Sequence, residues 1–305
     1  MSTLRFLVNP ASGRGAGEKR LPLLRKLAAQ AGAGFVASKS SHDLVEQARR
    51  AVADGVERLV VVGGDGTQHL AVQALATTGT ALGVVPIGSG NDLAANLGVP
   101  RELEAAVHHA VTGPVTSVDV GRIDVGDGKP PIYFGGYCGI GFDSEVTRVA
   151  NQVRVVRGPL IYPWAVLKTL VLFRAPSIRA EHDGGVLEGR AMFVTAANVT
   201  SFGGGMKIAP HARMDDGLFD LVFVRRVGKI RLLTIFPKVY SGRHLDNPEV
   251  TVVRTRRVAL SLDRPMELYG DGEPLLPLAA GETLVAEIIP KGLRVVAQPP
   301  SPTPL

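Results

Sequence analysis

Three times before residue 95, a short aliphatic run stops at a glycine-rich turn and gives way to a helical pattern. Leu4–Val8 stops at Asn9, Pro10, Ala11, Ser12 and Gly13. Leu59–Val62 stops at Gly63, Gly64, Asp65, Gly66 and Thr67. Ala81–Val85 stops at Pro86, and Ile87, Gly88, Ser89, Gly90, Asn91 and Asp92 follow. Runs this short and this apolar, closed by turn residues, read as buried strands. A further short strand is expected at 35–37, and a strand at 115–120. Helical spacing marks 18–30, 44–52, 71–76 and 101–111. Strand–helix alternation of this kind calls for a mostly parallel sheet covered on both faces. Ligands bind such sheets at the carboxyl ends of the strands, where all three glycine turns lie.

Beyond Gly121 the pattern becomes short strands separated by Gly, Pro and Asp turns, at 132–137, 176–182, 190–197, 218–224, 250–255, 258–262, 266–269 and 283–289. This predicts an antiparallel β-sandwich. The expected division is an α/β nucleotide-binding domain over 1–121 and a β-sandwich lipid-substrate domain over 122–289. The segment from about 290 to 305 can pack back on the first domain, and a helical insert is expected at about 160–173.

Composition narrows the setting. One cysteine, Cys138, leaves no disulfide framework. The start, MSTLRFLVNPASG, lacks the apolar core of a secretory signal. No apolar run approaches the roughly 20 residues of a membrane-spanning helix. A cytoplasmic protein, peripheral at the inner membrane face, is the expectation. The net charge of +6 is uneven, with nine basic residues against Asp246 and Glu249 within 222–260. That surplus suits an anionic partner, whether a membrane face, a nucleotide or a nucleic acid, as readily as a merely solvated surface. No nucleic-acid partner is expected, and a homodimer is left open.

The glycine turns carry the chemistry. Asn9–Gly13, with Gly15 and Gly17 after it, can bring backbone N–H groups around an anion at a helix start, or serve simply as a flexible turn. In Gly63–Thr67 the glycines bring backbone close to a ligand, and Thr67 stands where a helix N-cap would be. Asp65 would repel a bare phosphate, so it implies a bridging Mg²⁺ or a reacting hydroxyl. Asp92 can cap a short helix in the third turn. In the second half, Asp215 and Asp216 are adjacent carboxylates in a turn, suited to a hard cation or to an ordinary hairpin. Asp271 and Glu273 flank Gly272, and either can take a proton from an alcohol, though Asp-Gly-Glu-Pro is also a common turn.

The motifs NPASG, GGDGT, PIGSGNDLA, GGGMKIAPHARMDDGLFDL and DGEP, in this order, resemble the diacylglycerol kinase catalytic-domain family over nearly the whole chain. That family includes bacterial lipid kinases and is related to sphingosine and ceramide kinases. The resemblance implies an ATP-dependent lipid kinase with its active site in the cleft between two domains. It implies that Asn9, Pro10, Ala11, Ser12, Gly13, Gly63, Gly64, Asp65, Gly66, Thr67 and Ser89 hold ATP, with Ser38 where the family often has a threonine. Asp216 resembles a structural Mg²⁺ ligand, with the carbonyls of Arg213 and Leu218 beside it. Glu273 and Asp271 match the acidic pair linked to proton abstraction, with Asp65 as the rival base. The chain departs from the family at Gln68-His69-Leu70, where bacterial members often carry Leu-Asn-Glu, and at Ala94-Ala95-Asn96, where an arginine is common. A diacylglycerol-like acceptor is the leading expectation. A sphingoid base or phosphatidylglycerol, an NAD kinase activity, or a non-catalytic lipid or nucleotide sensor stand as alternatives.

Overall fold

The computed structural model describes residues 3–126, 128–142, 144–146, 149, 164, 168, 169 and 173–297. Most of the helical insert expected at about 160–173 lies outside the described residues.

The first half builds the expected α/β layer. Strands β1 (Leu4–Val8), β2 (Gly34–Ala37), β3 (Arg58–Gly63) and β4 (Ala81–Pro86) run parallel in the order β2-β1-β3-β4. Each strand hands the chain to a helix: α1 (Ser12–Gln30), α2 (Ser41–Ala53), α3 (Asp65–Leu75) and the short α4 (Asp92–Asn96), before α5 (Leu103–Thr112). Val60, Val61 and Val62 are wholly buried, as a strand covered on both faces requires. Leu24, Leu44, Val72 and Val107 supply the covering side chains from the helices.

The second half is a sandwich whose two sheets share one long strand. β5 (Val115–Asp124) pairs antiparallel with β6 (Ile132–Phe134) and with β15 (Thr283–Val296). β8 (Ser177–His182) and β12 (Arg257–Leu262) extend this sheet to β9 (Gly185–Ala197). β9 then turns into the facing sheet with β7 (Tyr137–Gly141), β10 (Phe219–Arg225), β11 (Val250–Thr255), β13 (Met266–Gly270) and β14 (Glu273–Leu278). Phe134, Ile140, Phe219, Phe223 and Leu260 fill the space between the sheets. Burying each such side chain contributes about 1.5–3 kcal/mol.

The two halves are one continuous hydrogen-bonded structure through β15. Its far end pairs Val295 with Leu82 of β4, and Leu293 and Val295 enter the core of the α/β layer. β5 differs from expectation. It runs on to Asp124 and pairs antiparallel with β15 instead of joining the parallel strands. The expected strand at 132–137 is split, because Gly135 and Gly136 interrupt it between β6 and β7. A helix absent from the sequence reading, α6 (Lys229–Ile235), follows β10.

Candidate active site

The three glycine turns meet at one sheet edge, and their contacts need glycine. A Cβ on Gly88 would lie 2.6 Å from Gly64 Cα, and one on Gly13 would lie 2.4 Å from Ile87 O. Side chains then knit the first two turns together. Asn9 Nδ2 donates to Thr67 Oγ1 at 2.9 Å, and Ser12 Oγ lies 3.0 Å from the same oxygen. Thr67 therefore does not cap α3. The N-cap is Gly64, and the Thr67 hydroxyl serves the Asn9 turn. In the third turn Asn91 adopts a left-handed backbone at φ 60° and closes on Gly88 through both side-chain atoms.

Asp65 is committed to this frame. Its two oxygens accept the backbone N–H groups of Asn91 and Asp92, each at 2.7 Å, so that it caps α4 from a neighbouring turn. Asp92, expected to cap that helix, is thereby released to cross to the second half, where Gly203 N–H donates to Oδ2 at 2.7 Å. Burial raises the Asp92 carboxyl above its usual range, while the Gly203 bond opposes that shift. Asn96 adds a second tie, donating to Ser201 O at 2.7 Å and accepting from Thr200 N–H and Oγ1.

The β13–β14 hairpin brings the acidic pair to the glycine turns. Asp271 and Gly272 occupy its two-residue loop at φ 51° and 83°, the positive-φ pairing that Asp-Gly favours. Asp271 is enclosed. Oδ1 accepts from Gly136 and Tyr137 N–H at 2.8 and 3.1 Å, and Oδ2 accepts from Gly135 N–H at 2.8 Å and lies 3.3 Å from His69 Nδ1. His69 reaches on to Gln73, which bonds the backbone of Tyr133. Glu273 is different. It makes no side-chain hydrogen bond or ion pair among the described residues, and a Cβ on Gly66 would lie 2.5 Å from its Oε1. Burial pushes its carboxyl above the usual glutamate range, with nearby His69 lowering it and Asp65 raising it.

A cavity of about 520 Å³ opens here, lined by Asn9, Ser12, Gly13, Gly64, Gly66, Thr67 and, from the other half, Glu273. Of the remaining predicted contacts, Ser38 is buried at the end of β2 with Oγ on Val8 O, and Ser89 is exposed. Ala11 is exposed and donates its N–H to Asn9 Oδ1, while Pro10 O accepts from Glu18 N–H. Behind Asp65, His69 and Asp271 the wall is Tyr137 stacked on Phe202 at 3.6 Å. Phe202 also lines an apolar cavity with Phe142, Met192, Met206 and Val239. The Gln68 amide is buried beside this wall with neither atom partnered among the described residues.

The predicted metal turn lies apart from the acidic pair. Asp216 Oδ1 accepts from Leu218 N–H at 3.0 Å, Oδ2 is paired with Arg254, and Arg213 pairs with Asp215. Asp220, close enough to Asp216 for their charges to interact, is buried with Oδ2 unpartnered. Carboxylate oxygens suit a hard cation, but Asp216 would have to give up Arg254 to take one, and no group of three His, Cys, Asp or Glu side chains placed to hold a metal lies among the described residues. Sequence reasoning missed the link from this turn to the site. Asp119 accepts from Gly217 and Lys291 N–H, and Asn198 donates to Asp119 O and to Gly135 O, next to the backbone that holds Asp271. The signal was an aspartate inside the apolar strand VTSVDVG.

Comparison with known proteins identifies the family. The family model "Diacylglycerol kinase catalytic domain" matches residues 3–123, and "YegS C-terminal NAD kinase beta sandwich-like domain" matches 136–297. A protein of Mycobacterium tuberculosis named diacylglycerol kinase is 34% identical over 280 residues, covering 90% of this chain and 89% of its own length. A crystal structure from Bacillus anthracis str. Sterne superposes over 97% of this chain and 95% of its own with a TM-score of 0.78 at 23% identity. Yeast NADH kinase shares the fold more distantly, with a TM-score of 0.53 at 11% identity over 98% of this chain and 84% of its own. Two family models in sequence and a full-length relative thus converge, and the chain belongs to the diacylglycerol kinase family of lipid kinases.

Proposed function

We propose that the protein transfers the γ-phosphoryl group of ATP to the hydroxyl of a membrane lipid, with a diacylglycerol-like acceptor as substrate. The observation that carries this is Glu273, a half-buried carboxylate with no partner among the described residues and a raised pKa, set against Gly66 of the glycine turn at the mouth of the 520 Å³ cavity. Phosphates of ATP lie along the backbone N–H groups of the turns and the start of α3. The lipid hydroxyl approaches from the Glu273 side. Glu273 accepts its proton as the oxygen attacks the γ-phosphorus, the bond to the β-phosphate oxygen breaks, and ADP leaves with a lipid phosphate as product. Asp65 and Asp271 act as scaffold: their oxygens are taken up by backbone N–H groups of the turns on either side. Mg²⁺, held by Asp216 with the carbonyls of Arg213 and Leu218, would neutralise charge and steady the second half. The apolar cavity behind Phe202 accommodates an acyl chain of the acceptor. Mass spectrometry of products from Mg-ATP and a mixed lipid extract tests the reading. Phosphate-bearing diacylglycerol is expected. Phosphorylated sphingoid base or phosphatidylglycerol would replace the acceptor, and the absence of any lipid phosphate would defeat the reading.

A further inference from the structure

A further cavity, of about 730 Å³, lies away from the glycine turns, on the β-sandwich half. Arg174, Arg190, Arg226, Lys229 and Arg264 line it, and no carboxylate does among the described residues. Four different chain segments bring these cations together: the stretch before β8, β9, the stretch from the end of β10 into α6, and the β12–β13 turn. The backbone holds them there. Arg226 N–H donates to Arg190 O at 2.7 Å, and an Arg264 guanidinium N–H donates to Arg174 O at 3.2 Å. The Arg174, Arg190 and Arg226 side chains are exposed and make no ion pair among the described residues. Of the groove cations Arg264 is paired with Asp263, and elsewhere on this half Arg231 pairs with Glu249, Arg254 with Asp216 and Arg257 with Glu287. Three exposed arginines crowded together with no counter-charge among the described residues destabilise a fold, so Arg174, Arg190 and Arg226 point to an anion from outside the chain.

The surroundings say which anion. α6 turns Leu232 and Ile235 inward to the apolar cavity, but leaves Ile230 82% and Leu233 54% exposed, one turn apart on the outer face. A helix at rest against water would place polar residues there. Met192 and Leu232 line both the basic groove and the apolar cavity, so the two share a wall. Phosphate-binding cations beside a protruding apolar pair match a bilayer surface, where headgroup phosphates lie just above the acyl chains.

We propose that this groove binds the headgroup phosphate of an anionic glycerophospholipid in the bilayer, while Ile230 and Leu233 enter the acyl layer. Docking in this way sets the apolar cavity against the membrane, so that an acceptor lipid reaches the site without crossing water. The inference deepens the lipid-kinase reading and rests on it for its purpose.

Sedimentation of the full-length protein with phosphatidylcholine vesicles, with or without one third phosphatidylglycerol, tests it. Binding is expected on the anionic vesicles alone and falls as salt rises. Arg190→Ala with Arg226→Ala lowers the partition coefficient about 30-fold. Arg49→Ala with Arg243→Ala removes the same charge elsewhere and leaves binding unchanged. Ile230→Ser with Leu233→Ser weakens it. Inorganic phosphate at millimolar concentration does not displace the protein. Equal loss in both arginine pairs, undiminished binding by the groove pair, or displacement by inorganic phosphate or by RNA would overturn the proposal. The readout needs no turnover, so an inactive protein that still docks separates failure of the kinase reading from failure of this one.

Discussion

Replacing Asp271 with asparagine keeps the shape of the side chain and exchanges one acceptor oxygen for a donor. The account assigns Asp271 to scaffolding, so the main effect falls on stability. Oδ1 serves two backbone N–H groups, of Gly136 and Tyr137, and Oδ2 serves one, of Gly135, while facing His69. The less damaging amide orientation puts nitrogen at Oδ2, leaving Gly135 N–H opposite a donor. A hydrogen bond to a charged group contributes about 1.5–3 kcal/mol, and a buried donor without a partner costs about 1–3 kcal/mol. Losing the Gly135 bond and the charge behind the other two amounts to roughly 3–5 kcal/mol. Each kcal/mol moves Tm by about 2–4 °C in a chain of this size, so calorimetry should record a fall on the order of 10 °C. Glu273→Gln is the control. Its carboxylate makes no hydrogen bond among the described residues and its charge is opposed by burial, so the change stays within about 1 kcal/mol. An Asp271→Asn protein that melts with the wild type yet turns nothing over would refute the scaffold assignment.

Other expectations follow from the same geometry. Glu273→Gln should keep nucleotide affinity and lose turnover by about 10²–10⁴-fold in a steady-state assay. A base works ionised and burial raises this carboxyl, so the wild-type rate should climb with pH through a limb above the ordinary glutamate range, and that limb should vanish in the variant. Gly66→Ala places a Cβ 2.5 Å from Glu273 Oε1, a flexible end that can swing aside; the fold should survive by circular dichroism while turnover falls. Gly64→Val crowds the Gly88 backbone, 3.1 Å from its Cβ position, and should abolish ATP binding by titration calorimetry in a protein that still folds. Asp216→Asn should flatten the dependence of activity on added Mg²⁺, and an unchanged Mg²⁺ curve would count against a cation there.

The sandwich and the parallel layer were legible because each rests on local pattern. Val60-Val61-Val62 before two glycines can hardly be other than a buried strand end, and Asp271-Gly272 carries its own hairpin preference. The glycine turns could likewise be placed at one crevice, because a parallel sheet puts every strand's carboxyl end on the same side. Roles fixed by distant partners were not legible. Asp92 looks like a cap, but Asp65, 27 residues away, takes that position and frees Asp92 for Gly203. Asp271 and Glu273 look equivalent in sequence. Only the fold reveals that Gly135–Tyr137 and His69 occupy the first, while the second has no partner among the described residues. The basic residues within 222–260 read as one patch. Folding neutralises several members with Glu249, Asp216 and Glu287, and groups Arg226 and Lys229 with Arg174, Arg190 and Arg264 from other segments.

The most direct test of phosphoryl transfer from ATP to a lipid places both acceptor classes of this fold in competition. The protein is given γ-labelled Mg-ATP with diacylglycerol in mixed micelles and NAD⁺ in the same tube, and the label is followed on organic extraction. The account predicts label in the organic phase as a lipid phosphate monoester, and none there with Glu273→Gln. Label appearing on the dinucleotide, or released only as inorganic phosphate, would contradict it.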